Sequence, residues 1–151
     1  GVPIGACLAK GVAAQIFSPG MHATTFGGSP LGCSVALCVV NTLFDENLIE
    51  NAHKQGMFIH KLLSDEFVGS DYIVDIRAQG LMIGIELDRP CVELVPFALT
   101  KGLLINVTAE RVIRLLPPLI ITEEESEWLV TQLVKLIKIY VGDDRKSPRN
   151  I

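Results

Sequence analysis

The residues best suited to chemistry lie in a glycine-rich turn at positions 20–31, which read GMHATTFGGSPL. Ser29 and Pro30 have the types expected at the N-cap and the first position of a helix. A helix N-terminus attracts anions, glycines let the backbone approach a ligand, and the hydroxyls of Thr24 and Thr25 add donors. The turn is therefore a candidate anion or phosphate site. A capped loop without a ligand would have the same residues, so the turn alone leaves both interpretations open.

Arg114 is a second candidate, because it stands in an otherwise apolar stretch at positions 112–116 (VIRLL). A guanidinium buried on such a strand needs an anionic partner, and its planar fork fits a carboxylate through two parallel hydrogen bonds. The alternative is a structural salt bridge, for instance with Glu86 or Asp88. Arg111, three residues earlier, is expected to be a surface charge.

The histidines and cysteines give weaker indications. His22 lies inside the glycine-rich turn and is interpreted as structural. His53 and His60 lie on a predicted amphipathic helix and are expected at solvated surface positions. The cysteines at positions 7, 33, 38 and 91 form no Cys-x-x-Cys pair, so no metal site is predicted. They are expected to be small buried thiols in a reducing cytosol.

Composition limits the classes of function. A length of 151 residues predicts one domain with a sizeable core, and an apolar fraction of 49% indicates a large interface with another subunit or domain. The net charge of −4, with no basic block apart from positions 145–149, disfavours nucleic-acid binding. No apolar run reaches the roughly eighteen residues that a membrane helix needs. No signal-peptide layout is present, although the chain begins at Gly1 without a methionine, and a cytoplasmic location is expected.

Periodicity predicts the elements that position these residues. Three helices are predicted at 30–46, 47–68 and 91–101, and the first is apolar on most of its circumference, so we expect it to be buried on several sides. Strands are predicted at 72–77, 81–87, 103–107 and 111–115, with a turn at 78–80. Thr122 and Glu125 form a capping box that begins a final helix to about Tyr140. The expected fold class is α/β, with a short mixed or antiparallel sheet covered on one face by helices.

The wider sequence resembles the class III aminotransferases, which use pyridoxal phosphate. Residues 22–31 are similar to the family's segment His-Gly-(Ser/Thr)-Thr-(Phe/Tyr)-Gly-Gly-Asn-Pro-Leu. Three further stretches match the acetylornithine/ornithine branch in the right order: residues 1–6 (GVPIGA), 80–87 (GLMIGIEL) and 112–119 (VIRLLPPL). The resemblance runs from Gly1 to about Tyr140, and four ordered motifs are much more specific than any one of them.

The resemblance implies a domain organisation and roles for four residues. Residues 1–29 would end the large cofactor-binding domain of a fold-type I pyridoxal-phosphate transferase, 30–46 would be a linking helix, 47–141 the C-terminal small domain and 142–151 a disordered tail. The family's pattern implies a homodimer in which Thr25 binds the cofactor phosphate of the neighbouring subunit. By the same resemblance Thr24 lies near cofactor and substrate, Arg114 holds the substrate α-carboxylate, and Arg77 is structural.

The sequence departs from the family's pattern at several positions. Ser29 replaces an asparagine and caps a helix about as well. Ala23 and Ala78 replace glycines, and an alanine would be strained by roughly 1–2 kcal/mol if either position required a positive φ. The family's lysine that forms the Schiff base with the cofactor lies upstream of the segment that begins this chain, so no catalytic residue is assigned here.

The reaction implied by the resemblance is transfer of the ω-amino group of N-acetylornithine to 2-oxoglutarate, a step of arginine biosynthesis. The chain would be the C-terminal segment of such an enzyme, inactive by itself. Enzymes that act on ornithine, succinylornithine or 4-aminobutyrate use the same scaffold and are alternatives. A hypothesis of another class is a non-catalytic α/β domain that dimerises through its apolar surface, and the absent lysine supports it.

Overall fold

The computed structural model describes residues 2–144, with side chains up to residue 142. The chain divides into two compact units, Gly1–Asn47 and Leu48–Ile151. In chain order the elements are a short 3-10 helix (Gly11–Gln15), α1 (Pro30–Asp45), α2 (Leu48–Glu66), β1 (Ile73–Gln79), β2 (Met82–Leu87), α3 (Leu94–Leu99), β3 (Asn106–Thr108), β4 (Val112–Leu115) and α4 (Glu123–Asp144). None of the described helices is by itself long and apolar enough to cross a membrane; α1 and α2 meet that requirement only as a pair interrupted by a break.

The first unit ends in α1, which begins where the sequence predicts. Ser29 Oγ accepts a hydrogen bond from the Gly32 N–H at 3.2 Å, and Pro30 is the first helical residue. The expectation that α1 is buried on several sides is wrong, because Gly32 is its only buried residue and Leu31 is 74% exposed. The physical reason is that every buried apolar side chain of the described residues belongs to the second unit. The first unit therefore offers this apolar helix no second layer to pack against.

The cysteines follow the same division. Cys91, in the second unit, is buried, whereas Cys7, Cys33 and Cys38 are exposed in the first, so the expectation of buried thiols is wrong for three of the four. Burial raises the pKa of the Cys91 thiol to about 11, because desolvation disfavours the thiolate. Cys91 therefore remains a protonated, apolar side chain near neutral pH.

The second unit is built on a four-stranded antiparallel sheet with the strand order β1-β2-β4-β3. The prediction allowed a mixed or an antiparallel sheet, and the structure shows the antiparallel one. Alternate residues of the strands point into a core that α2, α3 and α4 also enter. Its fully buried members come from both strands and helices and include Ile59, Leu63, Ile83, Ile85, Leu94, Ile113, Leu133 and Ile137. The opposite face of the sheet carries mainly polar residues, together with Met82 and the buried Val112, which is close to the pattern expected for a sheet with one face packed on a core.

The boundary between β1 and β2 differs from the prediction. Ala78 and Gln79 belong to the strand, and the turn is formed by Gly80, at φ +53°, and Leu81. The strand continues because both residues pair with β2, to Ile83 and Met82. Among the described residues, positive φ at non-glycine positions is confined to three that include neither Ala23 nor Ala78. The two alanines that replace the family's glycines are therefore unstrained.

The ends of α4 and α3 agree with the local sequence signals to different extents. α4 begins with the predicted capping box: Glu125 Oε2 accepts from the Thr122 N–H at 2.9 Å, and Thr122 Oγ1 accepts from the Glu125 N–H at 3.2 Å. The helix continues past Tyr140 to Asp144, so the expectation of disorder is wrong for residues 142–144, and residues 145–151 lie outside the described part. α3 is shorter than predicted and is followed by Gly102 at φ +77°, the conformation of a helix C-terminus.

Candidate functional site

The glycine-rich turn of the first unit exposes its two threonines. Thr24 and Thr25 are both exposed, and within residues 2–144 neither hydroxyl takes part in a hydrogen bond. The turn is closed by other groups, because the Ser29 N–H donates to the Phe26 carbonyl at 3.4 Å. The alternative in which these hydroxyls satisfy backbone groups of their own turn is therefore not what the structure shows. Both remain available to bind an external acceptor such as a phosphate oxygen.

Two glycines allow the turn to adopt this conformation. A Cβ at Gly27 would collide with Thr24 Cγ2, and Gly28 has a φ of +72°, which disfavours an L-residue. The two glycines that the close turn requires thus follow the threonines after one intervening residue, Phe26. Free hydroxyl donors beside a helix N-terminus fit the chemistry of a phosphate group.

His22 lies in the same turn and contacts an aromatic ring. Its ring centroid is 5.9 Å from that of Phe17, with the planes tilted by 41°. This contact agrees with the structural interpretation of His22. On α2, His53 is exposed as expected, whereas His60 is only partly exposed and its Nε2 lies 3.0 Å from the Ile76 carbonyl oxygen. The expectation of a solvated surface position is therefore wrong for His60, which links α2 to β1.

Arg114 lies on β4 in the second unit and is only partly exposed. Its Nε is buried, and among the described residues it has no hydrogen-bond partner. A buried donor without a partner costs about 1–3 kcal/mol, and more when the group is charged. The unpartnered guanidinium is thus the strongest indication in this unit of a site for an anionic ligand.

The carboxylates that could have formed a structural salt bridge with Arg114 have other partners. Glu86 accepts from Arg77 Nη1 at 3.0 Å and lies 4.0 Å from Arg111 Nε. Asp88 accepts from Arg89 Nε at 2.7 Å, and this hydrogen bond lowers the pKa of the Asp88 carboxyl. The salt-bridge alternative for Arg114 is therefore not found in the described part of the chain.

The other two arginines of this face have surface roles. Arg77 donates to Asp75 at 2.8 Å and to Glu86 at 3.0 Å, and these hydrogen bonds raise the pKa of its guanidinium. That pairing agrees with the structural role expected for Arg77. Arg111 has a half-exposed side chain, as expected for a surface charge.

The sheet register brings two further residues beside Arg114 that the sequence analysis did not single out. Arg114 pairs with Gly84 of β2 on one side and with Asn106 of β3 on the other. Directly paired residues of adjacent strands lie on the same face, about 4.5–5.5 Å apart at Cβ. A glycine within a strand pattern is a signal that could have drawn attention to Gly84. The pairing of Asn106 with Arg114 depends on the register and has no local signal.

A separate cleft of about 430 Å³ lies between the segment after α3 and the start of α4. Its lining is apolar, with Leu104, Leu116 and Trp128 among its exposed members. Glu125 is the only charged side chain among the described residues that line it, and it already serves the α4 capping box. The cleft therefore offers no cationic group for a carboxylate, unlike the face that carries Arg114.

The candidate residues fall in both units of the chain. Thr24 and Thr25 are neighbours in the turn of the first unit, whereas Arg114 belongs to the sheet of the second. The first unit presents exposed hydroxyls, and the second presents a guanidinium whose buried Nε has no partner among the described residues.

The model of the family "Aminotransferase class-III" matches residues 1–137, most of the chain. The chain belongs to this family of pyridoxal-phosphate enzymes. Similar sequences include "Acetylornithine aminotransferase 1" of Bordetella bronchiseptica, which is 52% identical over 145 residues. The acetylornithine aminotransferase of Nitrosomonas europaea is 49% identical over 137 residues. These matches cover 96% and 91% of this chain but only 37% and 35% of the relatives, so the chain spans about a third of their length.

Solved structures confirm the fold. The ornithine aminotransferase of Plasmodium yoelii matches with a TM-score of 0.81 at 32% identity, covering 88% of this chain and 36% of that one. The acetylornithine aminotransferase of Elizabethkingia anophelis matches with a TM-score of 0.75 at 33% identity, covering 83% and 34%. The ornithine aminotransferase of Toxoplasma gondii, described with pyridoxal phosphate at its active site, matches with a TM-score of 0.79 at 34% identity, covering 89% and 33%.

Proposed function

We propose that this chain is part of an aminotransferase that moves the ω-amino group of N-acetylornithine to 2-oxoglutarate, a step of arginine biosynthesis. The donor is suggested by the names of the similar sequences, which are acetylornithine aminotransferases. The observation that carries the proposal within this chain is the buried, unpartnered Nε of Arg114. Both the donor and 2-oxoglutarate carry a carboxylate that this guanidinium can hold through two hydrogen bonds.

The chain's own residues bind and orient rather than react. Thr25 donates its hydroxyl to the cofactor phosphate of the neighbouring subunit, Thr24 lies beside cofactor and substrate, and Arg114 fixes the substrate carboxylate. Pyridoxal phosphate, when bound, supplies the aldehyde and the electron sink that amino transfer requires. The resemblance places the family's Schiff-base lysine before the segment that matches residues 1–6, so the proposal assigns no catalytic residue within this chain and expects these 151 residues by themselves to turn over no substrate.

The role of Arg114 is tested by comparing two amino donors that differ only in the presence of the carboxylate. N-acetylputrescine has the carbon chain, the acetyl group and the amino group of N-acetylornithine but lacks the carboxylate. The donor half-reaction is followed in the polypeptide that includes the upstream lysine, without 2-oxoglutarate, because Arg114 would hold the carboxylate of that acceptor as well. In this assay Arg114→Gln should raise the half-saturating concentration of N-acetylornithine about 100-fold, since two charged hydrogen bonds are lost. The same variant should leave N-acetylputrescine unaffected.

Arg111→Gln is the matched control. Arg111 is three residues before Arg114 and its side chain is exposed, so the substitution removes the same charge from outside the candidate site. It should leave both donors unaffected. If Arg114→Gln slows both donors equally, the guanidinium does not recognise the carboxylate and the proposal fails. The class of enzyme is checked by the visible Schiff-base band of the pyridoxal phosphate complex, which should disappear when the upstream lysine is replaced. Without such a band the chain would belong to a non-catalytic dimerising domain.

The sharing of Thr25 between subunits is tested with mixed dimers. One subunit carries Thr25→Val and the other lacks the catalytic lysine. If the threonine serves the neighbouring subunit, the site that keeps its lysine receives an intact Thr25 and binds pyridoxal phosphate normally. If Thr25 serves its own subunit, that site binds the cofactor about 10–100-fold more weakly. Thr25→Ser keeps the hydroxyl and should bind normally in either case.

Ornithine is the second candidate donor, because the solved structures similar to this chain include several ornithine aminotransferases. The two donors differ by the acetyl group on the α-nitrogen, which removes a positive charge next to the carboxylate. The ratio of kcat/KM for N-acetylornithine and ornithine decides between them. A ratio in favour of ornithine would replace the proposed donor without affecting the role of Arg114.

A further inference from the structure

The outer face of the sheet in the second unit carries a row of four residues from four strands. Their order across the sheet is Arg77, Gly84, Arg114 and Asn106, each paired directly with the next. Paired residues project to the same side, so a ligand held by Arg114 has Gly84 on one flank and Asn106 on the other. Arg77 at the end of the row is already bound to Asp75 and Glu86.

Nothing in the described part of the chain requires a glycine at position 84. Its φ is not positive, and an added Cβ would make only ordinary contacts at 3.5 Å, with Arg77 Cγ, Arg77 Nε and Val112 Cγ1. A glycine inside a strand weakens it, and a common reason for one is the close approach of a ligand or of another backbone. The absent side chain leaves a gap the size of one methyl group, bounded by Arg77 and Val112, at the position that pairs with Arg114.

Asn106 provides a free amide on the other flank. The residue is exposed, and within residues 2–144 its side chain makes no hydrogen bond. Its NH₂ group is a donor that adds to the guanidinium without adding charge. Glu86 lies two residues after Gly84 on β2 and therefore on the same face of the sheet. Arg77 neutralises its carboxylate at 3.0 Å, and Arg111 Nε lies 4.0 Å from it. The surroundings of Arg114 therefore favour an anion.

We propose that Asn106 and Gly84 determine specificity for the substrate carboxylate together with Arg114. The Asn106 amide donates a third hydrogen bond to the carboxylate that Arg114 holds, and Gly84 keeps the methyl-sized gap beside Arg114 free of a side chain that would crowd this carboxylate. This inference rests on the proposed function and extends it to two residues. The chemical class of the ligand is an α-carboxylate of an amino acid or a 2-oxo acid.

The test uses the polypeptide with the upstream lysine, loaded with pyridoxal phosphate, and follows the donor half-reaction without 2-oxoglutarate, so that KM here is the half-saturating concentration of the donor. Asn106→Ala should raise KM for N-acetylornithine about 10-fold, the effect of one hydrogen bond to a charged group, with little change in kcat. Asn106→Asp should raise it further, because a carboxylate then faces the carboxylate of the donor. Neither variant should affect N-acetylputrescine. Thr108→Ala, on the same face two residues along β3, is the matched control and should behave as the unsubstituted protein.

Gly84→Ala fills the methyl-sized gap and tests whether carboxylate binding needs it. Because the added methyl makes only ordinary contacts, the melting temperature should hold while KM for N-acetylornithine rises and that for N-acetylputrescine does not. A readout without turnover is calorimetric titration with glutarate, a dicarboxylate that cannot accept an amino group. Its Kd should rise about 10-fold in Asn106→Ala.

Arg114→Gln, measured in the same assays, distinguishes a failure of the inference about Asn106 and Gly84 from a failure of the proposed function. If Arg114→Gln loses the preference for the carboxylate-bearing donor and the Asn106 variants keep it, the inference about Asn106 is wrong and the proposed function stands. If Gly84→Ala leaves KM for both donors and Kd for glutarate unchanged, the gap at Gly84 has no role in binding. If Arg114→Gln also keeps the preference, the proposed function itself fails.

Discussion

Gly56 is the position at which a single methyl group should do most damage to the second unit. It lies on α2 directly over the turn that joins β1 to β2, and it is buried. A Cβ at this position would stand 3.1 Å from Gly80 Cα and 2.5 Å from its carbonyl carbon, and closer still to its oxygen. Carbon atoms in contact separate to about 3.5–4.0 Å, so Gly56→Ala requires α2 and the turn to move apart by about 1 Å.

The loss of stability caused by Gly56→Ala depends on which atoms can move to relieve the contact with Gly80. The obstructing atoms belong to the backbone, so no side-chain rotation relieves the contact, and the penalty belongs at the upper end of overpacking, about 3 kcal/mol. Alanine gains about 1 kcal/mol over glycine in a helix, which offsets part of this. We therefore expect Gly56→Ala to lower the free energy of unfolding by about 2 kcal/mol, or the melting temperature by about 8–16 °C.

Urea unfolding followed by the fluorescence of Trp128, the only tryptophan of the chain, measures this change within the second unit. Gly142→Ala is the matched control, because it is a glycine in α4 with nothing within 4 Å of an added Cβ. It should raise stability by up to about 1 kcal/mol. A Gly56→Ala protein as stable as the unsubstituted one would refute the close packing of α2 on the turn.

Three further stability changes follow from the second unit. Glu110 has a φ of +63°, so Glu110→Gly should raise the urea midpoint by the equivalent of about 1 kcal/mol, whereas Glu110→Ala should give no gain. Thr122→Ala should lower the free energy of unfolding by about 1 kcal/mol through loss of the α4 cap, and Thr122→Ser should restore it. The pKa of Cys91 is raised from 9.0 to about 11, so its thiol ionises first in the unfolded state and stability should fall as the pH rises between these values. Unfolding measured across that range should show a shallower decline in Cys91→Ala, and equal slopes would contradict the burial of the thiol.

The features that the sequence predicted well are those that depend on neighbouring residues. The N-cap of α1 at Ser29 and the capping box of Thr122 and Glu125 are confirmed, because the donor and acceptor lie three residues apart. Alternation placed all four strands to within a few residues, because side-chain direction along a strand has a period of two. The family followed from four short motifs in a fixed order, and the comparisons confirm it.

The features that the sequence missed depend on what a segment packs against. The apolar surface of α1 predicted burial, yet its burial depends on a second layer that this unit does not provide. Residues 142–144 are polar and were predicted to be disordered, yet α4 continues through them. Ala78 was assigned to a turn, but its pairing with Ile83 extends β1 past it.

The sequence by itself determined the starts of α1 and α4, the strand pattern, the family and the candidate residues Thr24, Thr25 and Arg114, because each is encoded in a short stretch of chain. Only the tertiary structure decided which charges pair. Glu86 could have neutralised Arg114, but the register of β1 and β2 places it in reach of Arg77 instead. The same register places Gly84 and Asn106 beside Arg114. Which residues face each other across two strands depends on how the whole strands align, so the residues next to a position in the sequence do not specify its partner.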